Sequence, residues 1–381
     1  MNPLLQHDTS TWQHIGGLHT AEEIAQQPRL WRQLAQDLPG HLAQVEGFLG
    51  DWLQRADHRV ILTGAGSSAF GGEGVADEIN AAWPAEVRAV STTSLLTHPE
   101  LYLDARRPTL LVSFARSGNS PESTAAVALV RKTVPTARFL NITCNAEGAL
   151  AADANANSDS LNLLMPAGSC DRGFAMTSSF SCMLLAALAV LGAEGIAAKT
   201  NRLNQLADLG ELALRDWAAP IGALAAESFD RIIYLGSGPL EALAREGALK
   251  VLELSSGRAL ALPETPLGFR HGPKSALAQN ALVICLRSVK PIAQRYEQDL
   301  LDELRRDAVA GRVLSIGPAS SNADLALAIE GITDAWAAPL WLIAAQLFSL
   351  NKSAALGLTP DNPFPDGTVN RVVQGVTIHH D

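Results

Sequence analysis

The 381-residue sequence predicts an α/β protein of two domains, each a parallel sheet flanked by helices. Three observations lead there. Short apolar runs alternate with helical patterns, the signature of parallel strands joined by crossover helices. One strand-and-glycine signature occurs twice: Arg59-Val60-Ile61-Leu62-Thr63-Gly64-Ala65-Gly66 is echoed 172 positions later by Arg231-Ile232-Ile233-Tyr234-Leu235-Gly236-Ser237-Gly238. Hydrophobic residues make up 47% of the chain against 18% charged, which is ample material for two cores. Two copies of one domain, or a chance likeness of two short turns, would each account for the echo.

Taken in order, Thr20-Ala21-Glu22-Glu23 has the form of a capping box, with Thr20 at the helix start and Glu23 reaching back. Apolar residues at Ile24, Leu30, Leu34 and Leu42 continue helices to about Leu53, so residues 1–53 are expected as a helical segment packed on the first domain. That domain is placed at 54–200, with strands at 60–63, 109–113, 139–144 and 161–165. Pro121 opens a helix after the second of them, since a proline at the first helical position forfeits no hydrogen bond. The second domain is placed at 201–358, with strands at 231–235, 282–286 and 313–316 and a helix over 294–309. Residues 359–381 form a tail expected to close the site.

Charge and cysteine usage narrow the partners. Lys and Arg number 29 against 39 Asp and Glu, a formal net charge of −10, which argues against nucleic-acid binding. A small anionic ligand is still compatible, because one phosphate needs only a local pocket of donors. Cys144, Cys170, Cys182 and Cys285 form no CxxC pair, and no Cys/His spacing suggests a metal site. The start MNPLLQHDTSTW has neither a basic end nor an apolar core, so no signal peptide is expected. The apolar stretch Ala335–Leu350 carries Pro339 and Gln346 and falls short of the roughly 20 residues that span a bilayer. These features predict a soluble, reduced, cytoplasmic chain with no membrane partner.

Two strand-to-helix turns of the first domain are rich in hydroxyl residues. One is Gly66-Ser67-Ser68, and the other runs from Ser113 through Arg116, Ser117, Asn119 and Ser120 to Ser123. A helix N-terminus offers unpaired N–H groups and partial positive charge to an anion. Serine hydroxyls and the two-pronged Arg116 guanidinium would add donors. Ser, Asn and Gly are also ordinary turn and cap residues, so each loop alone has a purely structural explanation. Their shared place at the carboxyl ends of strands favours a ligand site, where open α/β sheets bind. GxxxxGK[ST] is absent, and no acidic residue stands at the end of the 87–91 run, so neither a P-loop nor a nicotinamide cofactor is expected.

Candidates for proton chemistry lie in the second domain. Glu246, Lys250 and Glu253 fall at i, i+4 and i+7 of one helix and share a face. That face reads either as a solvated stripe or, since the rest of the helix is apolar, as a half-buried wall with a carboxylate fit for general base work. Downstream, Pro263-Glu264-Thr265-Pro266-Leu267-Gly268-Phe269-Arg270-His271-Gly272-Pro273-Lys274 is too rich in Pro and Gly for an element interior, and reads as a loop. His271, between Arg270 and Lys274, suits either a binding loop or a structural role.

Together these residues resemble the sugar isomerase (SIS) family of phosphosugar-binding domains. In the isomerase half of glucosamine-6-phosphate synthase the matching helix reads EGALKLKE, similar to Glu246-Gly247-Ala248-Leu249-Lys250-Val251-Leu252-Glu253. A KHGP loop there matches Arg270-His271-Gly272-Pro273, a GTS loop Gly66-Ser67-Ser68, and an SQSGET loop Ala115-Arg116-Ser117-Gly118-Asn119-Ser120. The resemblance covers about residues 20–375, and the 116–123 loop with the long 264–274 loop is similar to the AgaS branch. It implies tandem flavodoxin-like SIS domains, a dimer with sites near the subunit interface, and galactosamine-6-phosphate deaminase/isomerase activity without metal or cofactor.

The same resemblance implies residue roles. Gly66, Ser67, Ser68, Ser113, Arg116, Ser117, Asn119 and Ser120 would bind the phosphosugar. His271 would open the ring, Glu253 would move the C2 proton, and Arg270 or Lys274 would stabilise enol-like charge. Three departures stand out. No glutaminase domain precedes Thr20, so glutamine-dependent amination is not expected. The first serine of the phosphate loop is Ala115, leaving Ser113 or Arg116 to supply its donor. The synthase's C-terminal lysine falls near Gln374, with Arg371 the nearest cation. A plain aldose–ketose isomerase, a fructosamine-phosphate deglycase and a non-catalytic phosphosugar sensor are the rival expectations.

Overall fold

The computed structural model describes residues 4–379, which divide into two compact units. The first gathers residues 29–171, 178–204 and 366–379 around one sheet, and the second gathers 4–28, 172–177 and 205–365 around another.

In the first unit, β1 (Arg59–Thr63), β2 (Glu86–Ala89), β3 (Thr109–Ala115), β4 (Arg138–Thr143) and β5 (Ser160–Leu164) form a parallel sheet in the order β2-β1-β3-β4-β5. Strands β1 and β3 are buried along their whole length, which is why they read as continuous apolar runs. On one face Ile61, Leu111 and Phe139 pack with Ala126, Val127 and Val130 of helix Pro121–Thr133. Pro121 occupies the first turn as expected. Helix Ser67–Ala82 packs against helix Ser178–Leu191, whose every residue is buried.

The second unit contains β6 (Arg231–Leu235), β7 (Leu260–Glu264), β8 (Ala281–Leu286), β9 (Arg312–Pro318) and β10 (Leu325–Leu327), all parallel, in the order β10-β9-β8-β6-β7. Counted from its own first strand this is the same order as in the first unit. Both are the doubly wound arrangement of flavodoxin type, with a switch point between the first and third strands. The likeness reaches single residues. Gly66 (φ +56°, ψ −129°) and Gly238 (φ +57°, ψ −130°) share a conformation open to glycine alone. A Cβ on Gly64 would come within 2.6 Å of Ser68, and one on Gly236 within 2.1 Å of the Leu240 carbonyl.

Three expectations are corrected. Thr20 does not start a helix: Leu18–Ala25 begins earlier, with Gly17 at its cap. The Thr20 hydroxyl donates to Asp361 (2.7 Å), and the Glu23 carboxylate instead accepts the backbone N–H groups of Arg172 and Gly173. Pro263 and Glu264 belong to β7 rather than to a loop, and β10 was not foreseen. Both are edge strands, the one position where a sheet tolerates a proline and where pairing can be short. The Ala335–Leu350 stretch is a fully buried run within helix Asp334–Ala355, and among the described residues no helix is long and apolar enough to cross a membrane.

Candidate active site

In the first unit both hydroxyl-rich turns stand at the carboxyl ends of the paired strands β1 and β3, on either side of the switch point. Gly66 turns the chain so that Ser67 and Ser68 open helix Ser67–Ala82, and both are buried there. Glycine at position 64 is required because the strand end lies against Ser68.

The second turn is braced from below by the segment after β4. Asn145 donates to the Ser117 carbonyl (2.8 Å), Leu150 N–H to the Gly118 carbonyl (3.0 Å), and Ala149 N–H to the Asn119 side chain (2.9 Å). Asn119 thus has a structural task, its oxygen serving the start of the next helix. Ser120 is the cap residue of helix Pro121–Thr133, with its hydroxyl 3.4 Å from that of Ser123. Ser113 stays inside β3 and is buried, so Arg116 is the donor that reaches the loop.

Arg116 is itself buried at 8% exposure. Its guanidinium donates to the Arg371 carbonyl (2.7 Å), while the Arg371 guanidinium donates to the Asp171 carbonyl (2.5 Å). The tail therefore meets the start of the second turn through backbone oxygen, and Arg371 is spent on a main-chain bond. Asp171, also buried, accepts the N–H groups of Ser178 and Ser179 at 2.9 and 3.0 Å and so caps helix Ser178–Leu191. No periodicity announces Asp171, because its partners come from seven or eight residues on. Cys170 lies against the Arg116 carbonyl, and burial pushes the thiols of Cys144, Cys182 and Cys285 upward, away from nucleophilic use.

In the second unit the solvated-stripe reading fails. Helix Pro239–Leu254 packs on β6, β7 and helix Asp334–Ala355, and Glu246 and Lys250 are both 0% exposed. Lys250 Nζ lies 3.3 Å from Glu246 and 2.5 Å from Glu253, whose side chain is 23% exposed. Burial opposes the Lys250 charge, but the two carboxylates outweigh it and hold the ammonium above its ordinary value. Glu253 is thus a partly accessible carboxylate held in one rotamer by a buried cation.

His271 is exposed on the loop that follows the short helix Pro266–Phe269. Thr265 caps that helix by accepting Gly268 N–H (3.0 Å), and buried Phe269 anchors it in the core. The flanking cations are paired: Arg270 with Glu303 (2.8 Å), and Lys274 with Glu303 and with Asp307 (3.0 Å). Their partners lie on helix Pro291–Asp307 of the same unit, so Arg270 and Lys274 moor the histidine loop. Nothing local in the sequence announces Glu303 as their shared partner, since it lies 33 residues beyond Arg270.

Two doubly wound sheets of one strand order, with an anion-suited pair of turns in the first, define a tandem SIS architecture. The C-terminal domain of glucosamine-fructose-6-phosphate aminotransferase from Francisella tularensis has this fold, at a TM-score of 0.73 and 18% identity over 91% of this chain and 98% of that one. No model of a protein family matches the chain. The D-galactosamine-6-phosphate deaminase AgaS of Escherichia coli is 43% identical over 388 residues, covering 97% of this chain and 96% of its own. A tagatose-6-phosphate ketose/aldose isomerase structure from Escherichia coli matches at a TM-score of 0.87 and 40% identity, covering 96% of this chain and 97% of that one. The chain belongs to the AgaS family of SIS proteins.

Proposed function

We propose that the chain converts D-galactosamine 6-phosphate to D-tagatose 6-phosphate and ammonia. The N–H groups and hydroxyls of Ser67, Ser68, Ser117 and Ser120, with Arg116, bind the 6-phosphate; glycine at Gly66 lets the first turn approach it. His271 moves a proton between O1 and O5 and opens the pyranose. Glu253 removes the proton from C2 of the open aldehyde, forming a C1–C2 enaminol, and returns it at C1. The result is a ketimine at C2. Water adds to it, ammonia leaves, and the C2 ketone of tagatose 6-phosphate remains.

The observation that carries this reading is the Lys250–Glu253 contact of 2.5 Å. It fixes a partly exposed carboxylate on a rigid helix, as a base directed at one C–H bond requires. Arg270 and Lys274 act by mooring the His271 loop. Identity near 40% to AgaS relatives over almost the whole chain supports the substrate class.

Ammonia release from galactosamine 6-phosphate, with glucosamine 6-phosphate alongside, tests the reaction. Glu253→Gln is expected to lower release at least a thousandfold while phosphosugar binding, read by calorimetry, stays within threefold. Release that survives in this variant removes Glu253 from the chemistry. Interconversion of tagatose 6-phosphate with its aldose, without ammonia release, would establish the isomerase instead. We place the working enzyme in the cytoplasm as a homodimer.

A further inference from the structure

The second unit has its own version of the first unit's anion-suited turns, at the ends of β6 and β8, and a carboxylate already sits in it. The glycine turn is the same, through Gly236 and Gly238, and Arg287-Ser288 follows β8 much as Arg116-Ser117 follows β3. Glu297 lies among these groups. Its carboxylate accepts Arg287 Nε at 3.0 Å, Ser288 N–H at 3.2 Å and the Ser237 hydroxyl at 3.2 Å. Arg287 and Glu297 are 2% and 1% exposed. The remaining guanidinium nitrogens are taken by Gln298 and the Gln294 carbonyl, each at 3.0 Å. Asp334 receives the Ser288 hydroxyl (2.6 Å) and Val289 N–H (2.7 Å) beside it.

A guanidinium, a hydroxyl and a main-chain N–H converging at the ends of adjacent parallel strands make an oxyanion cradle. A carboxylate presents to them the same pair of oxygens as one edge of a phosphate. Counted from Pro121 and Pro291, the prolines that open the corresponding helices, Glu297 falls where the first unit has Val127. Val127 is a core residue, so the first unit carries no carboxylate at the corresponding position.

We propose that Glu297 is a built-in surrogate for an oxyanion, closing a second phosphate-type cradle, and that its removal opens that cradle to inorganic phosphate or sulfate. The native chain then takes up one phosphosugar, through the first unit. The comparison rests on reading the first unit's turns as the phosphate site, and the experiment separates the two claims.

Phosphate binding is counted by calorimetry on the native protein and on Glu297→Ala and Glu297→Asp. The expected result is one phosphate per chain for the native protein and Glu297→Asp, and two for Glu297→Ala. None on the native protein and one on Glu297→Ala would overturn the first-unit reading and leave this one standing. Equal counts for native protein and Glu297→Ala overturn the surrogate. If Glu297→Ala folds only when phosphate or sulfate is present, and not in chloride of equal ionic strength, the anion has replaced the carboxylate, as proposed. Failure to fold in every anion makes Glu297 a structural partner of Arg287 and refutes the proposal.

Discussion

Replacing Lys250 by methionine removes the cation from a site where Glu246 is wholly buried and Glu253 is half-buried. Methionine nearly matches the volume of the lysine stem, so little of the effect comes from a cavity. What changes is charge: Glu246 loses the ammonium 3.3 Å away and stays in the interior. Breaking a buried ion pair from one side costs about 3–5 kcal/mol. At about 2–4 °C per kcal/mol for a unit of this size, the melting temperature should fall by roughly 6–20 °C. Activity should suffer separately, because Glu253 loses the bond that fixes its rotamer. A displaced catalytic group costs on the order of 100-fold in kcat, and KM should change little because the residues proposed to bind the phosphate are untouched.

The double variant Glu246→Met/Lys250→Met separates the two effects. With no buried carboxylate left behind, its stability should return to within about 2 kcal/mol of native, while kcat stays low. Thermal unfolding followed by tryptophan fluorescence, with steady-state ammonia release, reads both. If Lys250→Met melts within 2 °C of native, or the double variant is no more stable than the single, the charge argument is wrong. If the double variant regains full kcat, Lys250 does not position Glu253.

The remaining predictions concern the two loops. A Cβ on Gly148 would lie 2.5 Å from the Ser117 carbonyl, so Gly148→Ala should push the 117–119 turn away from its brace and raise KM by tenfold or more with a smaller change in kcat. An unchanged KM would remove that turn from phosphate binding. Lys274 and Arg270 hold the Glu303 carboxyl below its ordinary value. A depressed carboxylate pKa adds stability that is present above the unfolded value near 4.3 and lost as pH falls through the lower folded value. Exposure limits this to about 0.2–1 kcal/mol, so Glu303→Gln should be that much less stable at pH 7 and converge on native as pH falls through the lowered folded value, by urea unfolding at each pH. A difference that persists undiminished at the acid end would contradict the ion-pair origin.

Much of this molecule was legible in the chain because its signals are local. Continuous apolar strands such as Val60–Leu62 and Leu110–Val112, each followed by a glycine or serine turn, announce buried parallel strands and the loops at their ends. The echo at Gly236 to Gly238 pointed to a second such unit, and the helix and histidine loop carried the family resemblance. The edge strands β7 and β10 escaped notice because an edge makes few demands: one holds a proline and the other only three residues. The Thr20–Glu23 pattern misled because a capping box and a pair of long-range acceptors look alike in sequence; the partners, Asp361 and the Arg172–Gly173 backbone, are far along the chain.

Electrostatics was decided only by tertiary structure. Spacing placed Glu246, Lys250 and Glu253 on one helix face, but whether that face met water or helix Asp334–Ala355 depended on packing from nearly a hundred residues away. Burial then turned an ordinary i, i+4 pair into a buried cation holding a carboxylate. Arg270 and Lys274 keep their place in the motif, but the carboxylates that meet them, Glu303 and Asp307, come from another helix. Side-chain type and spacing are written in the sequence. The dielectric around a charge, and the partner that meets it, come from chain segments that only the fold brings together.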